Sequence, residues 1–165
     1  MDSRQILEST AAFDATLTHR LCLTRRWGQG PLMLAVGLNP SRAGATENDP
    51  TVRRVMRLLD AQGFAALVML NLWSLISVTP QAVVKTEGRW TEADWARFHG
   101  WFAQSKARLW MWGALGRGHP DLDAICASDS NAFCFGITRA GMPKHPLYLP
   151  ASTPLVRYRD QRRPH

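Results

Sequence analysis

Four stretches of the chain follow apolar runs and end in side chains that can do chemistry. Leu32-Met33-Leu34-Ala35-Val36 breaks at Gly37 and delivers Leu38, Asn39, Pro40 and Ser41. Leu67-Val68-Met69-Leu70 stops at Asn71, and Leu109-Trp110-Met111-Trp112 stops at Gly113. The fourth, Lys144-His145-Pro146-Leu147-Tyr148-Leu149-Pro150, follows Gly141. A histidine can donate to negative charge that develops near neutral pH. An amide such as Asn39 can orient a water but cannot deprotonate it, so Glu47, in the loop 39–48 and free of any capping duty, is the candidate general base. Ser41 and Arg42 suit a phosphate. Leu147, Tyr148 and Leu149, on a proline-braced loop beside Lys144, suit a wedge or a stacking platform. Trp73 is the tryptophan expected to line a pocket, because it follows Asn71.

Each of these residues also has a plainer role open to it. Asn-Pro is a common turn, a buried asparagine often ties loops together, and Asp49-Pro50 is first of all a helix start. His145 can equally be a satisfied structural histidine. His19, His99, His119 and His165 share no metal-ligand spacing, and the three cysteines (Cys22, Cys126, Cys134) form no CxxC pair. Neither a metal nor another cofactor is expected.

The elements that would position these residues alternate between strand and helix. Residues 3–15 read as a short helix, and Leu17, His19, Leu21 and Leu23 read as the inward side of a half-buried edge strand. A central strand over 32–38 leads through the loop 39–48 to a helix begun by Asp49-Pro50, striped by Val52, Val55, Met56 and Leu59, and ended by Gly63. Strands at 67–70, 109–112 and 133–135 alternate with helices starting at Thr79-Pro80, Thr91-Glu92 and Pro120. Strands that are apolar on both faces indicate a parallel sheet covered on both sides. The expected fold is therefore α/β, three layers α/β/α around a central four-stranded, mainly parallel sheet. Ligands of such sheets bind beyond the carboxyl ends of the strands, which puts Asn39, Asn71 and Gly113 on one rim.

Length and charge narrow the class further. At 165 residues a single domain is expected, with a core over about 17–156 and a basic tail over 157–165. No apolar run reaches the roughly 18 residues of a membrane span, and Met1-Asp2-Ser3-Arg4-Gln5 lacks the layout of a signal peptide. A cytoplasmic monomer away from membranes is the expectation. The net charge of +7 rests on 20 basic residues, 17 of them arginine, the side chain suited to phosphates and bases. Arg53, Arg54 and Arg57 share one helix, and Arg157, Arg159, Arg162 and Arg163 crowd the C-terminus. The expected partner is DNA, single- or double-stranded, or a nucleotide.

In order, Gly37-Leu38-Asn39-Pro40-Ser41, Asn71 after its strand, Trp112-Gly113 and His145-Pro146-Leu147-Tyr148-Leu149 resemble the motifs of the uracil-DNA glycosylase superfamily over about residues 32–150. The sequence is also similar to a bacterial family known only as a domain of unknown function, which shares the LNPS, DPT, NL and HPLYLP elements. The glycosylase resemblance implies that fold and the hydrolysis of the N-glycosidic bond of a flipped-out damaged, mismatched or modified base. By position, Asn39 matches the residue that holds the attacking water and His145 the residue that stabilises the leaving base. Asn71 matches the residue that hydrogen-bonds the base edge, with Gly37 and Leu38 as further base-binding candidates, and Leu149 matches the leucine that fills the base stack. The tyrosine of the GQDPYH form of the first motif is missing, and Leu147 replaces the serine of the HPSPL loop. Two alternatives are a non-catalytic nucleic-acid or nucleotide-binding module of the same fold, and a nucleoside or nucleotide hydrolase.

Overall fold

A computed structural model describes residues 5–162. Among them the chain forms one seven-stranded mixed sheet in the order β1-β2-β4-β3-β5-β6-β7, with five α-helices. The strands are β1 (Glu8–Phe13), β2 (Arg20–Arg26), β3 (Leu32–Gly37), β4 (Ala66–Asn71), β5 (Ala107–Trp110), β6 (Ala132–Cys134) and β7 (Val156–Arg157). The helices are α1 (Pro50–Ala61), α2 (Pro80–Val83), α3 (Glu92–Gln104), α4 (Leu122–Ala127) and α5 (Tyr158–Gln161).

The four-stranded sheet expected from the apolar runs is the parallel middle of a wider one. β4, β3, β5 and β6 pair in parallel, while β1, β2 and β7 add antiparallel strands at the two sides. Residues 3–15 do not form the expected helix. Glu8–Phe13 instead lies antiparallel on β2, with Glu8 opposite Arg26, and its side chains alternate between exposed and half-buried. Sheet pairing overrides a weak helical pattern there. Because β1 covers β2, β2 is internal rather than an edge. Leu17 does not point inward: it adopts a positive φ of 59° in the turn before β2 and is 70% exposed. The stretch expected as a tail starts inside the sheet, where Arg157 pairs with Phe133 and Tyr158 is buried. Arg163 and His165 lie outside the described residues, as does the start of the chain through Arg4.

Alternation along the strands builds two cores on opposite faces of the sheet. Met33, Ala35, Leu67, Met69 and Leu109 pack against Val52, Val55, Leu58 and Leu59 of α1. Leu34, Val36, Val68, Leu70 and Trp110 pack against Phe98 of α3 and Leu122 and Ile125 of α4. Each long helix begins where its sequence dictates. The Asp49 carboxylate accepts from the Val52 N–H at 2.8 Å, with Pro50 next in the chain. Thr91 and Asp94 cap one another's backbone N–H at the start of α3. α1 links β3 to β4 on one face, and the chain then crosses to β5 on β3's other side, beneath the opposite core. The strand order therefore reverses at β3, where a crevice opens beyond the carboxyl ends.

Candidate active site at the strand carboxyl ends

A cleft of about 600 Å³ occupies that crevice. Its walls come from the end of β3 (Gly37, Leu38, Asn39, Ser41), the cap of α1 (Asp49), the end of β4 (Asn71), the turn after β5 (Trp112, Gly113) and the loop carrying His145 and Tyr148. The rim residues expected from the sequence thus converge on one cavity. The pairing of β3 with β4 continues past their ends, through Leu72 N–H to Gly37 O (2.9 Å) and Trp73 N–H to Leu38 O (2.9 Å). Gly113 N–H donates to Pro143 O at 2.9 Å, and Lys144 N–H donates to Gly136 O at 2.9 Å. These bonds hold the His145 loop against the turn after β5 and the segment after β6, and its 3₁₀ turn, Pro146–Tyr148, packs on α1.

The two amides are held in opposite senses. Asn39 donates both Nδ2 protons to backbone carbonyls, Pro40 O at 3.0 Å and Ser77 O at 2.9 Å. What it offers the cleft is its acceptor, Oδ1. Asn71 instead accepts through Oδ1 from Arg20 Nη2 at 3.3 Å, which leaves Nδ2 as the group on offer. That amide lies directly over Gly37, where a Cβ would come within 2.8 Å of Nδ2. Gly37 is therefore required by the close approach of Asn71.

His145 accepts the Leu147 N–H at Nδ1, at 3.3 Å. A neutral ring in that arrangement carries its proton on Nε2 and is a donor. The ring is exposed to the cleft, yet its surroundings desolvate it and lower its pKa below the ordinary 6.5, against an opposing pull from Asp49. Asp49 is the carboxylate that lines the cleft among the described residues. Beyond capping α1 it accepts the hydroxyl proton of Ser41.

Other residues singled out in the sequence lie elsewhere. Glu47 is exposed and outside the cleft lining, and its backbone carbonyl accepts from Arg25 at 3.1 Å. Arg42 and Lys144 are exposed and also stand outside that lining. Trp73 lines a separate cavity of about 70 Å³ and donates to Thr86 O at 3.3 Å. Leu149 is half-buried against the α1 core, whereas Tyr148 is 91% exposed. The loop thus presents the tyrosine and tucks the leucine inward. Val78, Leu115 and Tyr148, three of the five exposed large apolar side chains among the described residues, line this one cleft.

The residue that sequence reading missed is Arg20. It lines the cleft behind Asn71 and is 3% exposed. In the sequence it is one more cation at the start of a strand, with nothing local to mark it. His119, set aside as a bystander, is buried and structural: its ring bonds Leu72 O at 2.8 Å and accepts the Asp121 N–H at 3.2 Å.

A family profile described as "Protein of unknown function (DUF1643)" matches residues 20–147, a span that begins at Arg20 and takes in every residue of the cleft wall named above except Tyr148. No curated protein and no solved structure matches the chain.

Proposed function

The chain belongs to the DUF1643 family, and we propose that its cleft hydrolyses the N-glycosidic bond of a damaged, mismatched or modified base flipped out of DNA. The observation that carries this reading is the convergence of Asn39, Asn71 and His145 on one cavity at the strand carboxyl ends. The resemblance of these motifs to the uracil-DNA glycosylase superfamily suggests the same chemistry. The volume of about 600 Å³ is in the range of small-molecule sites.

The roles follow from the hydrogen bonding. Asn39 Oδ1 accepts from a water and aims its oxygen at C1′ of the sugar. Asn71 Nδ2 donates to an oxygen on the far edge of the base. As the C1′–N bond lengthens, the base takes the bonding pair, and His145 Nε2–H donates to the charge that develops on it. A donor fixed in advance at such a charge is worth about 3 kcal/mol. The water oxygen bonds to C1′, and Asp49 takes the proton the water sheds before it passes to the departed base. Flipping the nucleotide costs a few kcal/mol; Tyr148, with Leu147 beside it, offsets this by standing in the vacated stack. The net charge of +7 draws in the phosphate backbone.

The test is incubation of the full chain with duplexes carrying uracil, mismatched thymine or modified pyrimidines and purines, followed by alkali. Strand breaks at the abasic site are expected, reduced about 10²–10³-fold in His145→Ala. Asn39→Ala is expected to lose turnover while keeping affinity for DNA. Intact strands across the whole panel would refute the reading, and salt-sensitive binding without product would favour the non-catalytic module.

A further inference from the structure

Three arginines are buried among the described residues, and they differ in what they face. Arg108 makes a two-pronged ion pair with Asp129, at 2.5 and 2.7 Å. Arg25 is surrounded by oxygens, donating to Asn48 Oδ1, Thr10 O, Thr24 O, Gly44 O and Glu47 O. Arg20 has neither a carboxylate nor a full set of acceptors. Its guanidinium reaches Ala43 O at 3.0 Å, Asn71 Oδ1 at 3.3 Å and the Met69 sulfur at 3.6 Å. Nε is buried with no partner, and Arg20 takes part in none of the ion pairs among the described residues. Buried cations are ordinarily paired because an unpaired one is costly to desolvate. Of the three, this one alone lines the cleft.

We propose that the inner end of the cleft is built for an oxyanion: the group that meets Asn71, with Arg20 behind it, is the charged oxygen-bearing edge of an acidic ligand. This rests on the base-hydrolysis reading for the ligand's shape but not for its charge. The pair offers donors only. Asn71 Oδ1 is turned to Arg20 and its Nδ2 to the cleft, so an amino group on the ligand meets no acceptor there, whereas a keto or enolate oxygen meets a donor backed by a full positive charge. With an ionised acceptor such as the enolate, the hydrogen bond is about twice as strong as a neutral one. Arg20 acts on the ligand through Asn71 and through its field, and so is a positioning residue for the ligand edge. Other charged groups around it do not neutralise it. Asp49 attracts it, but from beyond ion-pair distance. Arg25 repels it, and the Cys22 thiol is pushed up to about 11 by burial and stays neutral. His145, across the cleft, is neutral and faces Asp49.

The probes are two free bases that differ in acidity: xanthine, which ionises near neutrality, and hypoxanthine, which stays neutral. Each is titrated into the full chain by calorimetry, on the acidic and on the alkaline side of the xanthine ionisation. Hypoxanthine reports the protein's own titrations, so the ratio of the two affinities isolates the ligand's charge. On the alkaline side xanthine is expected to bind about tenfold more tightly, one step of 1.4 kcal/mol, and on the acidic side the advantage disappears. Arg20→Met is expected to abolish the advantage and Arg20→Lys to keep part of it; a merely structural role would not move that ratio. Equal affinities on the alkaline side, an advantage that Arg20→Met leaves intact, or no binding of either base would overturn the proposal. The wild-type ratio decides even if the variants fail to fold. An acid advantage without strand cleavage would remove the hydrolysis reading and leave this one standing; cleavage with a flat ratio would do the reverse.

Discussion

A residue retained for a ligand should contribute little to the stability of the empty protein, and Arg20 allows that to be worked out. Burial lowers its pKa well below the ordinary arginine value, to about 10, and at about 1.36 kcal/mol per pH unit that is a cost to the fold of about 3 kcal/mol at neutral pH. Arg20→Met removes that cost and keeps most of the volume. It also takes a donor away from Ala43 O and from Asn71 Oδ1, at about 1 kcal/mol each. The two sides nearly cancel, so the variant is expected to lie within about 1–2 kcal/mol of wild type in urea unfolding. Arg25→Met is the internal control. It strands five oxygens, three of them on residues 44, 47 and 48 of the loop that leads into Asp49, and should cost about 3–5 kcal/mol. Equal losses in the two variants would refute the reasoning, because Arg20 would then be a staple of the fold like Arg25.

Three further outcomes are expected. Gly37→Ala brings a Cβ to 2.8 Å from Asn71 Nδ2 and 3.4 Å from Met111 Cε; it should cost about 1–3 kcal/mol in urea unfolding and remove base binding, and retained affinity would show that Asn71 does not read the ligand. Desolvation lowers the pKa of both His119 and His145 below the ordinary 6.5. The unfolded chain then binds more protons than the native one, so their contribution to stability is complete above 6.5 and is lost as pH falls below it; the urea midpoint should decline through that window, less steeply in His119→Gln. Tyr148→Ala removes a side chain that is 91% exposed, so the melting temperature should hold while affinity for single-stranded DNA, read by fluorescence anisotropy, falls by about tenfold or more.

The parts of the fold that were legible in the sequence are those where burial leaves a local trace. Leu32–Gly37 and Ala66–Asn71 are buried almost throughout, and a strand buried on both faces must be apolar at every position. The caps of α1 and α3 were legible because Asp49-Pro50 and Thr91-Glu92 are local chemistry. β1 was not, because Glu8–Phe13 is half-exposed and lacks a run of β-branched or large apolar residues, and becomes a strand through pairing with β2. Arg20 was hidden for a related reason: it is enclosed by Ala43, Met69 and Asn71, between 23 and 51 residues away in the chain. In the site, the identity of the rim residues was legible, but the direction of each amide was not. Whether Asn39 or Asn71 offers an oxygen or a nitrogen depends on Ser77 and Arg20, which no motif includes. The exchange of roles between Tyr148 and Leu149 likewise turns on how the 3₁₀ turn packs against α1.

The central claim is that one ligand is gripped between Asn71 and His145. Its most direct test is side-chain NMR of the full chain titrated with a free base, observing the Asn71 Nδ2 protons and the His145 ring together. Saturable shifts at both sites with a single dissociation constant are the predicted result. A base that shifts neither, or that shifts one site and leaves the other unchanged at saturation, would contradict the account.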